Sequence, residues 1–69
     1  MASYYVNKNA QSGSGDHEVH TTGCNWLPKP ENRIYLGEFY SCHGAVTKAK
    51  EYYNDVNGCY FCANDCHTG

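Results

Sequence analysis

Residues 58–67 read Gly-Cys-Tyr-Phe-Cys-Ala-Asn-Asp-Cys-His, so three thiols and an imidazole fall within one short stretch. A thiolate is a soft ligand and an imidazole a borderline one, and this mixture suits zinc. The same cysteines could instead form oxidised pairs. Because a chain of 69 residues has only a thin core, we expect a staple of one kind or the other to stabilise the fold.

A second pair of candidate ligands lies earlier in the chain. His20-x3-Cys24 is followed after 34 residues by Cys59-x2-Cys62. Two thiolates at the latter spacing chelate one ion from a tight turn, and structural zinc sites commonly combine two such pairs. We therefore predict that His20, Cys24, Cys59 and Cys62 bind one zinc ion. Two alternatives stay open for the Cys59 and Cys62 pair, namely a disulfide and free thiols.

The other cysteines have different expected roles. Cys42 falls on the apolar face of a predicted helix, which favours a small buried side chain over a ligand. Cys66 and His67 lie in a predicted flexible tail, residues 66–69. Either of them could replace His20 as the fourth ligand.

The pattern of residues predicts a single small α+β domain over residues 1–69. Residues 4–8 and 17–22 have the character of strands, and the Gly- and Ser-rich residues 11–16 between them predict an antiparallel hairpin. Residues 34–39 predict a short extended segment. Residues 59–62 predict either a third strand added to the hairpin or the tight turn of a metal knuckle.

One amphipathic helix is predicted over residues 42–54. Apolar side chains recur there at helical spacing, and charged residues take the other side. Ser41 is suited to the N-cap, and Gly58 to a left-handed C-terminal cap.

Aromatic residues are abundant, with seven Tyr, two Phe and one Trp. We expect most of five rings to form the core: Tyr4, Tyr35, Phe39, Tyr53 and Phe61. Trp26 and Leu27 are expected to anchor the Pro-containing loop 25–32 to that core. If most of these rings were exposed, an interaction surface would be the better interpretation.

Charge and hydropathy restrict the partners. The net charge is −2 with only five Lys and Arg, so no basic patch for nucleic acid is expected. No stretch approaches 18 apolar residues, so no membrane segment is expected. Residues 1–5 do not resemble a secretory signal, which predicts a cytoplasmic location where metal ligation is favoured over disulfides.

The sequence predicts no catalytic site. His17 and His20 flank a Glu, but a zinc protease needs two His at i and i+4 on a helix, and these are three apart in a predicted strand. A thioredoxin-type pair precedes a helix, whereas Cys59 and Cys62 follow one.

Several motifs resemble those of small zinc modules: His20-x3-Cys24-x2-Leu27, Tyr35-Leu36-Gly37-x-Phe39, Ala45 in a helix, and Gly58-Cys59-x2-Cys62. The metal-binding domain of the bacterial methylphosphotriester DNA-repair regulator is similar, as are zinc modules appended to bacterial nucleases. This resemblance implies zinc at the four candidate ligands. The chain has a His where the repair domain has a Cys, lacks its basic DNA-facing residues, and adds Cys66 and His67. It also resembles a set of short uncharacterised bacterial proteins that share GDHEVH, YLGxF and NGCYxC, a likeness that implies no activity.

These observations favour a non-catalytic, zinc-stabilised module that binds a protein partner. The alternatives are a disulfide-stapled secreted protein and a thiol-redox protein that uses Cys59 and Cys62. Metal content and a thiol count would separate the three.

Overall fold

A computed structural model describes residues 1–68, in which four strands and one helix make an α+β fold. The strands are β1 (Ala2–Asn7), β2 (His17–Thr21), β3 (Arg33–Phe39) and β4 (Val56–Gly58), and the helix is α1 (Cys42–Ala49). Two short 3-10 turns cover Pro30–Asn32 and Asn64–Cys66. Within residues 1–68 no helix has the length and apolar character needed to cross a membrane.

The sheet has the strand order β3-β1-β2-β4. β1 and β2 form the expected antiparallel hairpin, with Val6 opposite Val19 and Tyr5 opposite His20. β3 adds to the other edge of β1, also antiparallel. Its pairing shifts register between Tyr4 and Tyr5, close to Gly37, which has a φ of 122° that only Gly adopts easily.

The fourth strand differs from the predicted extra strand in position. Residues 56–58 pair in parallel with β2, whereas residues 59–62 form a turn. The strand interpretation of 59–62 is therefore wrong, and the knuckle-like turn is the observed conformation. Parallel pairing was not visible in the sequence because it joins segments that are far apart in the chain.

The helix is shorter than the predicted span 42–54. Ser41 occupies the N-cap as expected, although its side chain makes no capping hydrogen bond. After Ala49 the backbone tightens, since the amides of Glu51 and Tyr52 donate to carbonyls three residues back. Leaving the helix here lets the ring of Tyr53 stack on His17 at a centroid distance of 3.7 Å.

Gly58 does not cap the helix, and its role is packing within β4. A Cβ at this position would lie 2.6 Å from the carbonyl oxygen of Ala63 and 2.7 Å from the Cβ of Cys66. Any larger residue would push the following turn away from the sheet.

The core is built mainly from small and aliphatic side chains. Its buried members are Tyr4, Val6, Val19, Leu36, Cys42, Ala45, Ala49, Cys59 and Ala63. Three of the five expected core rings are buried or half-buried, namely Tyr4, Phe39 and Tyr53. Most of the five rings are therefore in the core, as predicted, and the two exceptions are Tyr35 and Phe61, which are 53% and 66% exposed. Trp26, which was expected to anchor its loop to the core, is 60% exposed. The helix meets the sheet through Ala45 and Ala49, which leaves little room for further rings.

A disulfide joins Cys42, at the start of α1, to Cys66, with their Cα atoms 6.2 Å apart. Residues 66–68 therefore do not form the expected detached tail. The Asn57 side chain also accepts a hydrogen bond from the Thr68 amide at 2.9 Å and donates one to the Thr68 carbonyl at 2.9 Å. Gly69, the last residue of the predicted tail, lies outside the described residues.

Candidate metal centre

Strand β2 and the turn after it bring His20 and Cys24 together. Val19 and His20 are neighbours in a strand, so their side chains point to opposite faces of the sheet. Val19 joins the buried core, and His20 faces the thiols. The Cys24 amide then donates to the carbonyl of Thr21 at 3.2 Å, and this turn folds Cys24 back beside the imidazole.

The turn after β4 presents the second pair. The amide of Cys59 donates to the carbonyl of Val19 at 2.9 Å, which fixes the turn beside β2. The amide of Ala63 donates to the carbonyl of Cys59 at 2.9 Å and closes the turn. The sulfur of Cys62 accepts a hydrogen bond from the Thr21 amide at 3.4 Å. Both cysteines are thereby held against the strand that carries His20.

The four expected ligand atoms converge. One atom from each of His20, Cys24, Cys59 and Cys62 lies within 4.8 Å of the others. The Cys24 sulfur is 3.8 Å from the Cys59 sulfur and 3.7 Å from Nδ1 of His20, and Nδ1 is 3.8 Å from the Cys62 sulfur. A tetrahedral zinc ion would place two sulfurs about 3.8 Å apart and a sulfur about 3.6 Å from a nitrogen. The four residues are thus positioned to hold a metal ion.

Burial controls the protonation of these ligands. His20 is 1% exposed, and burial lowers the pKa of its imidazole, which favours the neutral form that binds metals. Burial raises the pKa of the Cys59 thiol, against the opposing effect of the Cys62 and Phe61 amides. Burial also raises the pKa of the Cys62 thiol. In the absence of a metal these two thiols would be protonated at neutral pH, and a metal would have to displace their protons.

The second nitrogen of His20 points away from the thiols. Nε2 is buried and has no hydrogen-bond partner among the described residues. The nearest acid is Glu18, whose Oε1 is 3.6 Å away. Metal-bound imidazoles commonly direct their other N–H to a carboxylate. The sequence alone did not single out Glu18, although its position two residues before His20 in a strand puts both on one face.

The other candidate ligands are engaged elsewhere. The sulfurs of Cys42 and Cys66 are bonded to each other, although together with His43 they form a second cluster of ligand-type residues. Nδ1 of His67 lies 3.0 Å from the carbonyl oxygen of Gly58. Cys42, Cys66 and His67 therefore lie outside the four-residue cluster, which consists of His20, Cys24, Cys59 and Cys62.

Four protein ligands would complete the tetrahedral coordination of a zinc ion, an arrangement typical of structural metal sites. Comparisons of the chain with protein-family models, with curated proteins and with solved structures find no match. The resemblance to small zinc modules stays a prediction.

Proposed function

We propose that this chain is a small zinc-stabilised binding module that docks a protein partner and has no catalytic role. The observation that supports it is the convergence of three sulfurs and one imidazole nitrogen at spacings that suit a tetrahedral ion. Three thiolates and one neutral imidazole are a soft donor set, which binds zinc in preference to calcium or magnesium.

Zinc would act here by tying distant parts of the chain together. His20 and Cys24 follow the hairpin, whereas Cys59 and Cys62 belong to the turn after β4. The unfolded chain does not hold these ligands near one another, so the free energy of binding contributes directly to folding. The Cys42–Cys66 disulfide fastens the far end of the same turn to α1.

Exposed aromatic rings support the binding role. Trp26, Tyr60 and Phe61 lie at the surface next to the cluster, and the rings of Trp26 and Phe61 stack with centroids 5.4 Å apart. Aromatic side chains are enriched at the centres of protein interfaces.

Elemental analysis with a thiol count tests the proposal. We expect one zinc per chain and three thiols that become reactive only after chelation and unfolding. Replacement of zinc by Co²⁺ should give the visible absorption of a tetrahedral site with sulfur-to-metal charge transfer. His20→Ala should remove the metal, and the control His43→Ala, at an exposed histidine outside this cluster, should retain it. Absence of stoichiometric metal together with a disulfide among Cys24, Cys59 and Cys62 would refute the proposal.

A disulfide-stapled secreted protein is the second candidate, because the Cys42–Cys66 bond is of the kind that persists in oxidising compartments. We propose a cytoplasmic location from the three unpaired thiols, Cys24, Cys59 and Cys62, which suit a reducing compartment. Alkylation of the thiols in acid-quenched cells would decide between them by showing whether Cys42 and Cys66 are paired there.

A thiol-redox role is less well supported. A reactive cysteine needs an accessible thiolate with a low pKa. Cys59 is 1% exposed, and burial raises the pKa of both Cys59 and Cys62.

A further inference from the structure

A cavity of about 390 Å³ opens beside the four-residue cluster, within the size range of small-ligand sites. Its wall combines one carboxylate, two residues of the cluster and three aromatic rings: Glu18, His20, Cys59, Trp26, Tyr60 and Phe61. Among residues 1–68, no Lys or Arg contributes to the lining of this cavity. Asn7 and Gln11 complete the wall, so its chemistry is that of two amides, one carboxylate and three aromatic rings.

The aromatic part of the wall is one continuous surface. Trp26 stacks on Phe61, and Tyr60 meets Phe61 edge to face with ring centroids 5.2 Å apart. All three rings are more than half exposed. Contiguous exposed rings of this kind mark binding sites, and the electron-rich faces of aromatic rings attract cations.

Glu18 supplies a carboxylate without a cationic partner. Its side chain is only 19% exposed, and among the described residues its one ion-pair contact is Nε2 of His20 at 3.6 Å. Carboxylates that are largely removed from water are normally paired with a cation. A positively charged ligand is therefore favoured next to Glu18.

His20 places its second ring nitrogen next to Glu18. Because Nδ1 faces the thiols, Nε2 carries the ring proton when a metal is bound. Nε2 is buried, belongs to a residue of the cavity wall and has no hydrogen-bond partner in the described chain. The acidic group beside it is Glu18, whose Oε1 is 3.6 Å away, so the His20 ring orients that carboxylate at the cavity wall.

We infer that this cavity receives a lysine or arginine side chain of the protein partner. Glu18 pairs with the cationic group, and the rings of Trp26, Tyr60 and Phe61 cover its alkyl stem and charge. The inference rests on the proposed binding role and names the chemistry of the partner. A zinc ion held by three thiolates and a neutral imidazole carries one net negative charge, which adds to the attraction.

The test is a titration of the metal-loaded chain with capped amino acids. The probes are the N-acetyl N-methylamides of lysine, arginine, norleucine and glutamate, and the signal is the indole N–H resonance of Trp26, the single tryptophan. Norleucine keeps the aliphatic stem of lysine and lacks the ammonium group. We expect the lysine or arginine probe to bind at least about tenfold more tightly than norleucine, with affinity falling as salt is added. The glutamate probe should not bind.

Two variants with matched controls locate the site. Glu18→Gln should weaken the lysine probe about tenfold, whereas Glu38→Gln, at an exposed glutamate of β3, should leave it unchanged. Phe61→Leu should weaken the probe about threefold, whereas Tyr35→Leu, at an exposed ring outside the cavity wall, should not. Phe61 does not belong to the four-residue cluster, so its result stands even if Glu18→Gln reduces the metal content.

The outcomes separate this inference from the proposed function. Equal binding of lysine, arginine and norleucine probes by metal-loaded protein, or full affinity in both Glu18→Gln and Phe61→Leu, would overturn the cationic site alone. A chain that contains no zinc but still selects the cationic probe would support this site and overturn the zinc-stabilised module.

Discussion

The backbone amide of Cys59 donates to the carbonyl oxygen of Val19 at 2.9 Å. This single bond sets the first cysteine of the turn beside the strand residue that precedes His20. Parallel pairing of β4 with β2 ends at Val19 and Gly58, so the sheet itself carries the two halves of the candidate metal centre to the same place. The geometry of the centre is therefore a property of the sheet and does not depend on long flexible side chains.

Removal of the metal should destabilise the whole fold. Because four ligands from separate segments share one ion, chelation should lower the free energy of unfolding by at least about 3 kcal/mol, or the melting temperature by roughly 12 °C or more. Cys24→Ser and Cys59→Ser should have comparable effects. Thermal unfolding followed by circular dichroism, with and without chelator, measures this. A melting temperature that chelator does not change would contradict it.

Zinc binding should strengthen steeply as the pH rises. The pKa values of the Cys59 and Cys62 thiols are raised, so both are protonated at neutral pH without metal and deprotonated with it. Raising the pH removes these competing protons. With at least two protons displaced, the dissociation constant should fall about 100-fold or more between about pH 6.5 and 7.5. Competition against a chelator of known affinity tests this, and a constant affinity would argue against thiolate ligation.

Gly58→Ala should be strongly destabilising. The added methyl group would lie 2.6 Å from the Ala63 carbonyl oxygen and 2.9 Å from the Cys66 carbonyl carbon, and neither backbone group can easily move. We expect a loss of about 2–3 kcal/mol in denaturant unfolding. The control is Gly23→Ala, where nothing lies within 4 Å, and it should change stability by less than about 0.5 kcal/mol. Similar values for the two variants would contradict the close packing of Gly58.

Loss of the disulfide should cost more than the truncation of a small buried side chain. Cys42 and Cys66 are 24 residues apart, and cross-linking a loop of this length stabilises by about 3 kcal/mol. Cys42→Ser and Cys66→Ser should be equally damaging in denaturant unfolding without reductant. The double variant should lose little more stability than either single variant, because each single substitution already removes the same bond. Additive losses would show that the two residues act separately.

These disulfide variants should keep their metal. Neither Cys42 nor Cys66 belongs to the four-residue cluster, so one zinc per chain is expected in each. A loss of zinc equal to that of Cys24→Ser would indicate that the disulfide is needed to hold the turn in place.

The sequence alone determined the parts of this protein that depend on local spacing. Alternating apolar residues on either side of a Gly- and Ser-rich turn specify the β1–β2 hairpin, because a register error would turn its buried face outward. The short separations in His20-x3-Cys24 and Cys59-x2-Cys62 bring each pair of ligands together within one turn. The α+β class and the two ligand pairs could be predicted for this reason, whereas the meeting of the two pairs depends on the parallel pairing of β2 and β4.

Only the tertiary structure decided what joins distant segments. Five cysteines allow many pairings, and Cys42 meets Cys66 because the turn after β4 packs against the start of α1. Gly58 belongs to a strand and not to a helix cap, because it pairs with Val19 of β2. It lacks a side chain there because Ala63 and Cys66 occupy the space that a Cβ would need. Trp26 and Phe61 stack on each other beside Glu18 and His20, which face away from Val19 in the strand, so these two rings take no part in the core between sheet and helix. Hydropathy reports that a side chain prefers burial, whereas the volume available in the core determines which side chains obtain it.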